Sequence, residues 1–242
     1  MNFGKMTSFE VKEQIQRIRT AILPIGAVEA HGPHLPLVTD NILAEKLAER
    51  VAEETEAFIL PTLPYGQVWS LRNFPGSITV SNESLIAMLV DIGVSLFKQG
   101  IKLFVMINGH LGNQPALKDA ARVLLEKVPQ LKVLYLFYPG TKEIIAEVKE
   151  TPVLHGSFFH ACELETSYML YLAEEDVQMD KAICDIPTIP SRVDCTPTPW
   201  EEFTKTAVLG DATLATKEKG ELVISKAVEN MVALIEEVKQ RV

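Results

Sequence analysis

The sequence predicts an α/β fold: a three-layer α/β/α domain with a mostly parallel central sheet. Short apolar runs at residues 21–25, 57–60, 101–107 and 131–137 alternate with segments of helical periodicity, which is the pattern of strands joined by crossover helices. Run 101–107 is almost continuously apolar, as expected of a parallel strand covered on both faces. Polar side chains able to do chemistry bunch directly after two of these runs, at 29–40 and 108–113. In open α/β sheets, ligands bind beyond the carboxyl ends of the strands.

In chain order, residues 7–19 read as a first helix. Thr7 and Glu10 are in capping-box register, and Val11, Ile15 and Ile18 share a face. After the strand at 21–25 and the loop at 29–40 comes a helix beginning near Asn41, with Leu43, Leu47 and Val51 recurring every fourth residue. Residues 65–76, with Trp69, Arg72 and Phe74, form either a packed surface loop or a pocket wall. A strand is expected at 77–80. Ser81 then caps a helix whose stripe of Leu85, Met88, Leu89, Ile92 and Leu96 faces the core, and Gly100 ends it.

The turn at 108–113 leads into a helix with Leu117, Ala120, Ala121 and Leu124 inward, then the strand at 131–137 and a short helix at 141–150. The third polar cluster, around His155, His160, Glu163 and Glu165, opens a further helix running through Tyr168 and Leu172. Residues 183–208 are proline-rich and weakly periodic, and read as a long excursion over the surface or into a neighbouring subunit. A turn region at 210–220 precedes a closing helix at 221–238. Nothing marks a boundary or a repeat, so residues 1–242 are expected to form one domain.

Composition narrows the function. The 242 residues are 47% hydrophobic and 23% charged, with a net charge of −9. This is an ordinary globular balance without the basic face that nucleic-acid binding requires. No apolar run approaches the roughly 20 residues that cross a bilayer, and the chain does not start with a signal-peptide pattern. The expectation is a cytoplasmic protein with neither nucleic acid nor membrane as partner. Three cysteines without C-x-x-C spacing suggest neither a disulfide framework nor a structural zinc site. Cys162 is expected to be a buried small side chain rather than a nucleophile.

All five histidines, His31, His34, His110, His155 and His160, fall within the three polar clusters. In an extended segment alternate side chains share a face, so Glu29 and His31 can enter one pocket. Asp40 arrives at the mouth of the next helix, where it is either an ordinary cap or a further ligand. Carboxylates and imidazoles converging at strand ends are what a divalent metal asks for.

The run Leu23-Pro-Ile-Gly-Ala-Val-Glu29-Ala-His31-Gly-Pro-His-Leu-Pro-Leu-Val-Thr-Asp40 resembles the creatininase (creatinine amidohydrolase) family. So do Phe74-Pro-Gly, Asn108-Gly-His-Leu-Gly-Asn113, His160-Ala-Cys-Glu-Leu-Glu165-Thr-Ser and Ala215-Thr-Lys-Glu-Lys-Gly-Glu221. The resemblance implies a two-metal hydrolase using zinc, manganese or iron. Glu29 and His110 would hold one ion, His31 the other, and Asp40 would bridge them, with a shared hydroxide attacking a carbonyl carbon. His160 would be the catalytic histidine, passing a proton to the leaving nitrogen. The resemblance also implies a homo-oligomer, a hexamer in known members.

Three departures from the family pattern bear on the substrate. A family tyrosine falls at Leu111, the family's second-ion glutamate at Gly112, and the tryptophan that covers creatinine at Gly156. Glu165 is then either a replacement ligand or the carboxylate that orients His160. The expected activity is hydrolysis of a small cyclic amide, formamide or related carbonyl compound. Its rivals are cleavage of a keto-cyclitol ring C–C bond, formamidopyrimidine deformylation, and a catalytically weak metal-binding homologue.

Overall fold

The computed structural model describes residues 1–152, 154–156 and 159–241. Ser157 and Phe158 of the third polar cluster lie outside that set. Four parallel strands, β1 (Thr20–Ile25), β2 (Phe58–Ile59), β3 (Leu103–Asn108) and β4 (Lys132–Leu136), form a sheet in the order β2-β1-β3-β4. A separate antiparallel pair joins β5 (Cys184–Asp185) to β6 (Gly210–Asp211). The α/β architecture is the one expected.

Alternation along the two inner strands explains the layers. Ile22, Leu103, Val105 and Ile107 point to one side. There they meet α2 (Thr39–Thr55), α6 (Glu163–Leu172) and α7 (Lys217–Lys239). Ala21, Leu23, Ile25, Phe104 and Met106 point to the other, where α3 (Asn82–Gln99) and α4 (Gln114–Lys127) pack together. Every residue of β1 and β3 is buried, since a parallel sheet under helices has no solvent face.

Helix α1 (Ser8–Gln14) starts with the expected box: the Thr7 side chain accepts from Glu10 N while the Glu10 carboxylate accepts from Thr7 N. It ends before residue 19, because residues 15–19 turn sharply to enter β1. The expected strand at 77–80 is a single bridge, Ile78 to Val28; these residues brace the loop after β1 instead of extending the sheet. Met88 is half exposed, so the inward stripe of α3 is narrower than its periodicity suggested. α7 begins at Lys217, capped by Thr216. Gly220 therefore lies inside it, where its bare Cα lets the helix pass close to the Ser167 carbonyl of α6. The short helix α5 (Lys142–Val148) is as expected.

Candidate metal centre

Strands β1 and β3 are hydrogen-bonded neighbours ending in register at Ile25 and Asn108, so the polar loops that follow them emerge side by side. The N-terminus of α2 is driven between them. At Gly109 a Cβ would lie only 2.1 Å from the Asp40 carbonyl oxygen, so no larger residue allows this approach. Asn113 ties the strand ends together, its Nδ2 donating to Gly26 O at 3.0 Å and its Oδ1 accepting from Gln67 N at 2.9 Å.

In this frame Asp40 is no cap. The N-cap position of α2 is Val38, with no side-chain hydrogen bond, and the Asp40 carboxylate turns into the centre. Its Oδ1 lies 3.3 Å from His31 Nε2 and its Oδ2 3.1 Å from His110 Nδ1. Glu29 Oε1 lies 3.2 Å from His110 Nδ1, 3.6 Å from His160 Nδ1 and 4.0 Å from His31 Nε2. Glu29, His31, Asp40, His160 and Glu165 are all buried.

A carbonyl oxygen only accepts, so an imidazole nitrogen beside one carries the proton. His31 Nδ1 donates to Glu29 O at 3.1 Å and His110 Nε2 donates to Gln67 O at 2.7 Å. In their neutral form, the form a cation requires, both rings therefore turn an unprotonated nitrogen towards the carboxylates. His31 Nε2 and Asp40 Oδ2 are buried with no hydrogen-bond partner among the described residues. Orphaned lone pairs at this depth are costly unless a cation sits among them. Ligand atoms fall within coordinating reach of one another in three groups: Glu29, Asp40 and His110; His31, Asp40 and Glu165; and Glu29, His31 and His160. The donor set suits divalent cations, and Asp40 belongs to two of the groups.

Without a cation the same atoms compete for protons. Burial lowers the pKa of His31, but the carboxylates of Asp40, Glu165 and Glu29 outweigh it and raise it to about 9. His110 is also held well above its usual value, Glu29 and Asp40 overcoming the burial. Asp40 is buried too, yet His31 and His110 keep it below the usual carboxylate range. Burial and then the Asp40 and Glu29 charges raise Glu165 to about 7, against the pull of His31. His160 goes the other way, lowered to about 4 by burial and by the charge on His31.

The profile of the creatininase (creatinine amidohydrolase) family matches residues 4–235. The chain belongs to the creatininase family. It is 27% identical over 229 residues to the creatinine amidohydrolase of Pseudomonas putida, covering 89% of this chain and 88% of that one. It is 29% identical over 235 residues to the mycofactocin precursor peptide peptidase of Mycolicibacterium smegmatis, covering 93% and 86%. With the 3-dehydro-scyllo-inosose hydrolase of Thermotoga maritima it shares 27% identity over 184 residues, covering 75% and 59%. Solved creatininase structures superpose with a TM-score of 0.88: a Mn form (26% identical, 97% of each chain) and a Zn–Zn form of a point mutant (27% identical, 97% and 96%). The creatinine amidohydrolase and the peptide peptidase are hydrolases that act on amide bonds.

Gly112, where this creatininase-family chain lacks the family glutamate, has no room for any side chain. A Cβ there would lie 2.4 Å from His110 Nε2 and 2.6 Å from Gln67 O. The Gln67 carbonyl that fixes the His110 ring occupies that space. Glu165 reaches the centre from the first turn of α6. Its Oε2 accepts from Ala161 N at 2.5 Å and lies 3.8 Å from His160 Nδ1.

Of the sequence candidates, Glu29, His31, Asp40, His110, His160 and Glu165 converge. His34 does not. It is buried, with Nε2 2.8 Å from Thr166 Oγ1, so it braces the 29–40 loop against α6. His155 pairs with the exposed Asp194 at 2.9 Å, away from the centre. Arg72 stacks on Trp69 at 4.2 Å and donates to its carbonyl. Burial pushes the Cys162 thiol up to about 12, and a group kept protonated is no nucleophile.

A cavity of about 310 Å³ opens beside Glu29, His110, His160 and Glu165. Its walls include Gln67, Val68 and Leu71 from the 65–76 loop, which is thereby a pocket wall, and Trp200. Trp200 is a residue the sequence did not single out. It belongs to the proline-rich excursion, which folds back onto the pocket: Trp200 N donates to Ser70 O at 3.0 Å, and its ring meets the His160 ring edge-on at 5.4 Å.

Proposed function

We propose that this chain is a metal-dependent hydrolase of the C–N bond in a small amide or formamide, acting as a single domain. Two divalent cations would be held in it, one by Glu29, Asp40 and His110 and the other by His31, Asp40 and Glu165. The observation that carries this reading is that His31 Nε2 and Asp40 Oδ2 are buried with no hydrogen-bond partner among the described residues, with His110 Nδ1 turned to the same place.

Bound there, such ions supply Lewis acidity and bring the pKa of a water near 7. The chain's own residues do the rest. The Glu29 and Gln67 carbonyls fix the tautomers of His31 and His110, so both rings present lone pairs without reorganising. His160 Nε2 donates to Ala30 O at 2.7 Å, which leaves Nδ1 as the basic atom on the cavity side. With Nδ1 unprotonated, it can take a proton and deliver it to the departing nitrogen. Glu165 holds Ala161 N while reaching towards His160, so it fixes the backbone that carries the proton shuttle as well as one ion. Val68, Leu71 and Trp200 give one side of the pocket an apolar wall.

Zinc and manganese are the cations favoured, because creatininase structures of the same fold exist in Zn–Zn and Mn forms. Amide chemistry is favoured over ring C–C cleavage, because relatives covered almost end to end are an amidohydrolase and a peptide peptidase. The test is metal analysis of the native protein together with a screen of lactams, formamides, short peptides and keto-cyclitols, before and after chelation. Turnover of an amide that is lost on chelation and restored by Zn or Mn supports the reading. Turnover indifferent to chelation refutes it.

A further inference from the structure

We infer that the substrate is a neutral amide carrying an apolar or aromatic group, and that Trp200 is the residue that selects it. This rests on the proposed hydrolase reading and names the substrate class of that site. Beyond the ligand cluster the cavity walls are mostly apolar, with Val68, Leu71, Leu111, Phe137, Phe159 and Trp200 outnumbering the uncharged polar Gln67 and Ser70. Among the described residues, no lysine or arginine lines it. Arg72, from the 65–76 loop, is spent on Trp69 and is not among the lining residues. A substrate carboxylate placed against these walls would find no counter-ion, and desolvating an unpaired charge is costly.

Size points the same way. An apolar cavity of about 150 Å³ already accepts a benzene ring, so the roughly 310 Å³ here has space for a ring and the amide beside it. The aromatic wall is also independent of Gly156, where a side chain would meet nothing within 4 Å. Trp200 comes instead from the 183–208 segment and is fixed in place. Pro199 precedes its short helix, its amide bonds to Ser70 O, and its ring stands 6.1 Å from Phe203 and 5.4 Å from His160. A planar group bound beside His160 would lie along the indole.

The experiment uses hydroxamates, which ligate the cations whatever the natural substrate is. Affinities of acetohydroxamate, benzohydroxamate and 4-carboxybenzohydroxamate are measured by calorimetry on the metal-loaded protein. Benzohydroxamate is expected to bind at least about tenfold tighter than acetohydroxamate, and the 4-carboxy compound at least about tenfold weaker than benzohydroxamate. Trp200→Ala shrinks the benzo-to-aceto ratio several-fold and Trp200→Phe restores most of it. Leu111 is 42% exposed, so Leu111→Lys is tolerated by the fold, and it reverses the preference in favour of the carboxylate. A 4-carboxy compound binding as tightly as benzohydroxamate, or a ratio unmoved in Trp200→Ala, overturns the inference and leaves the hydrolase reading standing. No binding even of acetohydroxamate overturns both.

Discussion

The Nδ1 atom of His110, just past the end of β3, lies 3.1 Å from Oδ2 of Asp40, in the first turn of α2. A helix start and a strand end meet here only because Gly109 has no side chain. Among the described residues, the oxygen concerned has no hydrogen-bond donor. Asp40→Asn removes the carboxylate common to both ligand sets. Both metal equivalents should fall in elemental analysis, and activity should drop by more than about 100-fold. A variant with full metal content would show that Asp40 is no ligand.

Glu165→Gln separates two roles. The amide oxygen can still accept from Ala161 N, so the backbone at His160 keeps its anchor, but the charge beside His31 is gone. The expected outcome is loss of one metal equivalent of two. Full metal content with reduced turnover would instead make Glu165 a group that only orients His160.

His160→Ala leaves the Glu29–Asp40–His110 and His31–Asp40–Glu165 groups untouched and should retain metal. Removing a positioned acid–base group costs on the order of 10²–10⁴ in kcat. Steady-state kinetics with metal content measured in the same sample decides it, and a kcat within a few-fold of the parent would rule out the proton-transfer role.

The pH dependence of the metal-free protein has a definite sign. The folded pKa of His31 is raised to about 9 and that of His110 is raised too. Their contribution is fully present below their ordinary value near 6.5 and is lost as pH rises through the folded values. Glu165, raised to about 7, acts in the same direction. Cations need these groups deprotonated, so the stabilisation by metal grows with pH. Thermal melts should show the gap in Tm between metal-loaded and chelated protein widening from pH 6.5 to 9. A gap that narrows would contradict the assignment.

Gly112→Glu puts back the residue type that the family pattern carries, and should make the protein worse. The new Cβ collides with the His110 ring and the Gln67 carbonyl. Destabilisation of about 1–3 kcal/mol and weaker metal retention are expected from denaturation and dialysis measurements. Tighter metal binding would show that the loop yields.

Much of this was legible in the sequence because the informative features are local. The apolar runs of β1 and β3, the capping box at Thr7 and the clustering of Glu29, His31, Asp40, His110, His160 and Glu165 each sit within a few residues of one another or of a strand end. Adjacency of β1 and β3 then brings the clusters together. Less legible were features set by tertiary contact. Residues 77–80 have strand composition but only Val28 to pair with. Met88 keeps helical spacing yet lies at the rim of α3's buried face. Trp200 and the Gln67 carbonyl carry no periodic signal, because what matters is where their loops fold back.

The most direct measurement of the central claim is anomalous diffraction from crystals of the metal-loaded protein. The account predicts two peaks flanking the Asp40 carboxylate, at about 2.0–2.2 Å from their nitrogen and oxygen ligands: one at Glu29 and His110, the other at His31 and Glu165. No peak at Asp40, or a lone peak bound by neither group, would contradict it.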